Sequence, residues 1–172
     1  MTSRHLFHTT THSDTYLRNF IFGVEDSLVS TVGLLAGVAA GGVSSAVILT
    51  TGLVLIVVEG FSMGIGSFLT EETTEEMAGV RPDTKEAIKG AATMLLSYCL
   101  AGLLPLSPYI LLQGSQAVTA SVFLSLTGLM ALGYGTSLYY GRPKPFKRAI
   151  KMMFLGGTAV FMGMLIGKLF HL

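Results

Sequence analysis

The chain has 172 residues, of which 51% are hydrophobic and 12% are charged, and its mean hydropathy is +0.64. A soluble domain carries roughly 25% charged residues, so the composition predicts a single integral membrane domain in contact with the lipid bilayer. The formal net charge of +1 excludes a basic surface for nucleic acid, and the single cysteine, Cys99, excludes an intrachain disulfide. Because residues 1–19 are polar, we expect no signal peptide.

Five segments are long and apolar enough to cross a bilayer, whose hydrocarbon core takes about 20 helical residues. We therefore expect an all-α polytopic membrane protein with five transmembrane helices. The predicted spans are 20–40, 46–69, 91–112, 117–140 and 149–169. The third span is interrupted by Pro105 and Pro108, which remove backbone donors from a helix.

The basic residues favour one orientation in the membrane. Of the 11 Lys and Arg residues, only Lys168 falls on the far side if the N-terminus is cytoplasmic. Because positively charged loops are retained in the cytoplasm, we expect a cytoplasmic N-terminus and a C-terminus on the opposite side. An extra or missing span would place the basic loops on both sides of the membrane, so the distribution of basic residues also supports the count of five.

The first span contains an aspartate, Asp26. Aspartate often caps a helix, but a helix starting there would leave only about 15 apolar residues before Gly41, too few to cross the bilayer. We therefore expect Asp26 to lie inside the membrane near the cytoplasmic end and to have a function. Ser30, Gly33 and Gly37 follow it on one helix face.

The second span carries a carboxylate near its middle, Glu59, one turn before Met63 on the same face. A charge at bilayer depth costs about 2.5 kcal/mol or more, so it is seldom incidental. A carboxylate oxygen with a thioether sulfur suits Fe²⁺ or Mn²⁺ better than Ca²⁺ or Mg²⁺, and a buried carboxylate can also carry a proton. We expect Asp26, Glu59 and Met63 to line a metal route; the alternative for Met63 is a filler of a helix interface.

Glutamates follow the second span and are expected to extend its helix into the cytoplasm. Like charges four residues apart cost a few tenths of a kcal/mol, so two interpretations are equally supported. The run is either a mouth that gathers cations or a solvated extension partly balanced by Lys85 and Lys89. The glutamates in question are Glu71, Glu72, Glu75, Glu76 and Glu86.

Glycines recur at helical spacing, as at Gly33 and Gly37 and at Gly60 and Gly64. Small residues four apart let helices approach closely in lipid, so these pairs predict packing grooves. Five short helices enclose little space, and an ion route is easier to build between two copies. We therefore expect a homodimer.

The N-terminal segment contains His5, His8 and His12. His8 and His12 could share a helix face and bind metal, but the glutamate of a zincin motif is absent and a mobile tail is the favoured interpretation. No serine elbow, P-loop or dinucleotide fingerprint is present, so we expect neither an enzyme nor a prosthetic group.

Four stretches in chain order resemble motifs of the vacuolar iron transporter family, which includes yeast-type vacuolar iron and manganese importers and nodulin-like relatives. NFIFGVEDSLVSTVGLLAGVAAG is similar to R-D-x-x-x-G-x-x-D-G-L-x-x-x-x-x-L-x-x-G, and EGFSMGIGSFLTEE to A-G-x-x-S-M-G-x-G-x-Y-L-x-x. GLLPLSPYIL is similar to the third-span G-x-x-x-P-L-x-P-Y, and FKRAIKMMFLGGTAVFMGMLIGKLF to the last span. The resemblance covers nearly the whole chain.

The resemblance implies a homodimeric five-helix fold that moves Fe²⁺ or Mn²⁺ out of the cytosol, with the metal as substrate and protons as the exchanged ion. It implies a pore between protomers lined by the first two helices. The family's first-span aspartate falls on Asp26, and its second-span methionine falls on Met63.

The chain departs from the family pattern at several positions. Asn19 stands where the family has an aspartate, Ser27 where it has a glycine, and Leu55 where it has a glutamate. Glu59, one turn beyond Leu55, is the candidate replacement. The family's long cytoplasmic metal-binding insertion is missing, and 73–89 stands in its place, so the five cytoplasmic glutamates are the candidates for its work.

Two functions are therefore considered for this multi-pass protein. The first is a divalent-metal transporter, in a cell membrane if the source is prokaryotic or a vacuolar-type membrane if it is eukaryotic. The second is a non-transporting accessory or assembly subunit that binds another membrane protein through its small-residue helix faces.

Overall fold

Six helices and no strand make up residues 12–170, the part of the chain that the computed structural model describes, with side chains from residue 14 onward. In chain order they are α1 (His12–Ala40), α2 (Ser45–Met77), α3 (Thr84–Leu106), α4 (Pro108–Leu111), α5 (Gly114–Tyr139) and α6 (Pro145–Leu169). In this described region five helices are long and apolar enough to cross a membrane, with α3 and α4 together forming one of them. The prediction of an all-α fold with five membrane helices is confirmed.

Two helices extend well beyond the predicted apolar spans. Helix α1 begins at His12, and α2 continues through the glutamate run to Met77. A hydropathy criterion counts only the residues that suit lipid, whereas a helix continues into water as long as its backbone bonds are made. Asp26 consequently lies in the middle of α1, and the helix-capping aspartate is Asp83, which accepts hydrogen bonds from two backbone amides at the start of α3.

The prolines of the third span place the break between α3 and α4. Pro105 remains within α3, the chain turns at Ser107, and Pro108 opens α4. Because Pro108 has no N–H, it cannot donate to the carbonyl of Leu104, and the hydroxyl of Ser107 donates to that oxygen at 2.9 Å instead. Ser121 of α5 donates to the carbonyl of Pro105 at 2.6 Å, which fixes α5 against the break.

Helix α1 lies at the centre of the bundle and packs against α2, α3, α5 and α6. It meets α6 through glycines: a Cβ placed on Gly37 would lie 2.7 Å from the carbonyl oxygen of Gly163. Helix α2 meets α3 in a similar way, since a Cβ on Gly60 would lie 2.8 Å from the sulfur of Cys99, and one on Gly64 would lie 3.4 Å from α3 atoms. These backbones approach closely because glycine has no side chain.

Helix α2 keeps its other face on the outside of the bundle. Large apolar side chains along that face are exposed in the single chain, and they include Val54, Val57, Val58, Phe61 and Ile65. In a bilayer such a face contacts either lipid or a second membrane protein. The site described next opens toward this side of α2.

Candidate functional site

A buried tyrosine of α3, Tyr98, joins three helices at the middle of the bundle. Its hydroxyl donates to Oε2 of Glu59 on α2 at 3.0 Å, and it lies 2.7 Å from the hydroxyl oxygen of Ser30 on α1. A phenol has one proton, so a Tyr98 that donates to Glu59 accepts its bond from Ser30. The carboxylate of Glu59 is therefore held by a neutral donor that is itself oriented by α1.

The second carboxylate of the site comes from α1. Asp26 is half-buried and lies one helical turn before Ser30 on α1. The hydroxyl of Ser30 lies 2.7 Å from that of Tyr98, which in turn bonds Glu59. Asp26 therefore lies one turn away from the contact that links α1 to Glu59 on α2. Two carboxylates near each other away from bulk water are stabilised by a cation or by protons between them.

Two cavities run along this side of α2. Glu59 lines one of about 370 Å³ together with Leu55, and Met63 lines another of about 490 Å³ that reaches Arg18 near the start of α1. Ser62 lines both cavities, so they adjoin each other along the helix. Glu59 and Met63 therefore face neighbouring parts of one groove. Asp26 lines neither cavity.

The residues that differ from the family motifs have packing partners. Asn19 is buried, and its side-chain amide donates to the hydroxyl of Ser67 at 2.8 Å and to the carbonyl of Gly90 at 3.1 Å. Ser27 is buried and donates to the backbone carbonyl of Tyr98 at 2.7 Å. Both residues tie α1 to the helices around it. Asn19 also lines the cavity of Met63, whereas Ser27 lines neither cavity.

The glutamates at the C-terminal end of α2, together with Glu86, do not share one partner. Glu71 pairs with Arg18 at 3.8 Å, Glu75 accepts from the backbone amide of Asp83 at 2.8 Å, and Glu72 faces Thr84 at 3.5 Å. Glu86 pairs with Lys89 at 2.6 Å and also accepts from the hydroxyl of Tyr16, while Glu76 is exposed. Within the described part of the chain, no three His, Cys, Asp or Glu side chains converge as a metal-binding group.

The cluster is therefore a spread of single carboxylates at one end of the bundle, and the choice between a cation-gathering mouth and a solvated extension stays a prediction. The prediction for the N-terminal histidines concerns side chains outside the described residues. His5 and His8 lie outside the described residues, and only the backbone of His12 is described.

Tyr98 is the residue of this candidate site that the sequence analysis did not predict. A signal for it existed, since a tyrosine in the middle of an apolar span carries a hydroxyl that requires a partner. The identity of the partner was hidden because Glu59 lies 39 residues earlier in the chain.

The chain is similar to known proteins over most of its length. The sequence profile of the VIT family matches residues 17–80 and 73–168. Vacuolar iron transporter 1 of Arabidopsis thaliana is 25% identical over an alignment covering 83% of this chain and 81% of that protein. The rice protein of the same name (Oryza sativa subsp. japonica) is 26% identical over the same shares, and that of Eucalyptus grandis is 39% identical over 49% of this chain and 34% of its own length.

Proposed function

The chain belongs to the VIT family, and from that premise we propose that it moves a divalent metal ion, Fe²⁺ or Mn²⁺, out of the cytosol in exchange for protons. The observation that carries the proposal is the pair of carboxylates at membrane depth, Asp26 and Glu59, beside a groove that Met63 also lines. The relatives described above bear the name vacuolar iron transporter, which supports iron as a substrate. Mn²⁺ has similar ligand preferences and is proposed on that chemistry.

The ligand chemistry gives a simple exchange step. A divalent cation carries two positive charges, so one metal ion and two protons neutralise the pair Asp26 and Glu59 equally well. Tyr98 keeps one oxygen of Glu59 oriented by its hydrogen bond, and the other oxygen is free to bind the ion or a proton. The thioether of Met63 supplies a soft ligand further along the groove, toward the glutamate end of α2.

A second copy would complete the pathway. The groove along α2 is bordered by the exposed side chains of Val54 and Val58, so in one chain it opens to the lipid. An ion with its remaining charge cannot face hydrocarbon without a large desolvation penalty. We therefore propose a homodimer in which the outer faces of two α2 helices enclose the route.

The glutamate end of α2 is proposed as the entrance. Single carboxylates spread over a helix surface attract cations without holding them tightly, which suits a mouth better than a chelating site. With a cytoplasmic N-terminus this end faces the cytosol, as the distribution of basic residues favours. The protein is a multi-pass membrane protein, and the vacuolar names of its relatives favour a vacuolar-type membrane over a cell membrane.

The accessory-subunit hypothesis loses its main argument. It required small-residue faces that bind another protein, yet Gly33, Gly37, Gly60 and Gly64 have α6 and α3 of the same chain as neighbours. Membership in a family of transporters also gives no reason to propose an enzymatic activity.

The test is metal flux into proteoliposomes that contain the full chain, with Fe²⁺ or Mn²⁺ outside and a pH gradient across the membrane. We expect Asp26→Asn and Glu59→Gln to reduce flux to the level of empty liposomes, because each removes one of the two charges that bind the ion. Met63→Leu keeps the side-chain volume and should slow Fe²⁺ flux by a few-fold.

The matched control is Glu25→Gln, since Glu25 is the adjacent carboxylate on α1 and has no place in the proposed route. It should transport at the wild-type rate. Wild-type flux equal to that of empty liposomes, across several divalent metals with and without the pH gradient, would overturn the proposed function.

A further inference from the structure

A basic cavity of about 570 Å³ lies where α5 turns into α6, away from the carboxylate site. Its lining contains five cations within ten residues of the chain, which are Arg142, Lys144, Lys147, Arg148 and Lys151. The turn lies at the same end of the bundle as the α2–α3 turn, because α3, α4 and α5 cross the bundle twice between them. We call this lining the basic pocket.

The cations of the basic pocket lack negative partners in the chain. No Asp or Glu follows Glu86 anywhere in the sequence, so α5 and α6 carry no carboxylate side chain. Among the described residues none of the five forms an ion pair, and Arg142 is instead placed over the ring of Tyr140, 5.4 Å from its centre. The first turn of α6 includes Lys147 and Arg148 without any acidic residue, which is the unfavourable sign for the N-terminal end of a helix dipole.

Arg148 adds a buried donor to this excess of charge. Its Nε atom is shielded from solvent and has no hydrogen-bond partner among the described residues. A buried guanidinium N–H without an acceptor is unfavourable, and the acceptors that fit a guanidinium best are the oxygens of phosphate and carboxylate groups. Retention of loop cations in the cytoplasm explains why basic residues are here, but it does not explain a cavity with a shielded donor.

The apolar part of the pocket indicates what kind of anion fits. Ile150 and Phe154 line the same cavity and are exposed, Phe154 by 69%. Phe154 lies further into the membrane-spanning part of α6 than all five cations, and Ile150 lies further in than all of them except Lys151. A ligand that meets cations at one end and lipid-facing apolar side chains at the other has the structure of a phospholipid. Basic pockets between transmembrane helices bind anionic lipid headgroups by this combination of contacts.

We propose that the basic pocket binds the phosphate headgroup of an anionic phospholipid from the adjacent leaflet, with Arg148 donating to a phosphate oxygen and Phe154 contacting an acyl chain. The bound lipid would neutralise the α5–α6 turn and hold the two helices together at that end. The lipid site is separate from the metal route, so this proposal does not depend on whether the chain transports metal.

The test uses the purified full chain in a neutral detergent, with the melting temperature followed by circular dichroism. Added phosphatidylglycerol should raise the melting temperature by about 5 °C, and phosphatidylcholine should not. Arg148→Gln should remove most of that shift. The matched control is Arg81→Gln, which removes one positive charge from the α2–α3 turn at the same end of the bundle and should keep the full shift.

Three results would overturn the proposal: an equal shift with phosphatidylcholine, a full phosphatidylglycerol shift in Arg148→Gln, or the whole shift from inorganic phosphate without lipid. The last result would identify a soluble anion as the ligand instead. If Arg148→Gln does not fold, Lys151→Gln is compared with Arg81→Gln in the same assay. Native mass spectrometry of the wild-type protein, mixed with equal amounts of both lipids, should show phosphatidylglycerol retained preferentially.

Discussion

Helices α2 and α6 are equally peripheral, since each buries 22% of its most apolar stretch, and both meet the bundle at glycines. Helix α6 contacts α1 backbone to backbone at Gly163 and carries no charge in the middle of its span. Helix α2 adds a polar contact, because Glu59 accepts a hydrogen bond from Tyr98, whose hydroxyl also meets Ser30 of α1. The difference indicates that α6 supports the centre of the bundle, and we expect α2 to serve the ion.

The largest expected effect concerns the packing of α6 against α1. In Gly163→Leu the new Cβ would overlap the carbonyl oxygen of Gly33, and backbone atoms cannot move aside cheaply. We expect a loss of about 3 kcal/mol of stability, seen as a lower melting temperature in detergent. The control is Gly157→Leu on the same helix, where a Cβ meets nothing. Equal stability of the two variants would show that α6 is not held by its glycines.

The outer faces of the two helices give the next test. In a Cys99→Ala background, Val58→Cys should form covalent dimers in membranes with a short bifunctional maleimide, because we place α2 at the homodimer interface. Phe161→Cys lies on the exposed face of α6 and should stay monomeric; the two positions are similarly exposed, at 62% and 66%. If Phe161→Cys forms covalent dimers and Val58→Cys does not, the homodimer interface lies on α6 and not on α2.

Tyr98→Phe tests the polar contact of α2, because it removes only the hydroxyl group of the tyrosine. It removes the donor to Glu59 and the acceptor for Ser30, which costs about 1.5 kcal/mol for a bond to a charged group. If that energy orients Glu59 for the ion, flux should fall about tenfold. The corresponding change at an exposed tyrosine of α5, Tyr134→Phe, is the control. Flux unaffected by Tyr98→Phe would limit the tyrosine to a structural role.

The smallest expected effect concerns the glutamate end of α2. The double variant Glu72→Gln with Glu76→Gln should raise the apparent KM for metal about two- to threefold without changing the maximal rate, because it weakens only the attraction of cations to the entrance. The difference should disappear at about 0.5 M salt, where exposed charges are screened. A difference that persists at high salt would indicate direct metal ligands at these positions.

The number and approximate position of the membrane helices could be predicted because hydrophobic length is a local property. The same reasoning placed Asp26 inside a helix, since a helix starting there would have been too short. The extension of α2 through its glutamates was also expected. The start of α1 at His12 was not, because the polar residues 12–19 carry no hydropathy signal.

Pairings between helices were not predictable from one sequence. Spacing identified Gly33 and Gly37 as packing residues, but it could not show that α6 is their neighbour, because Gly163 is more than a hundred residues away. The hydrogen bond of the Tyr98 hydroxyl and the burial of the Arg148 Nε likewise depend on how the helices pack, so one sequence does not predict them.

The amino-acid sequence by itself determined that this protein is a five-helix membrane protein with two carboxylates at bilayer depth, because burial in lipid depends on the length and polarity of each segment. Only the tertiary structure decided that Tyr98 bonds Glu59, that Ser30 of α1 meets the same hydroxyl, and that α2 presents its outer face. These features depend on atoms brought together by helix packing, where a few ångströms separate a hydrogen bond from no interaction.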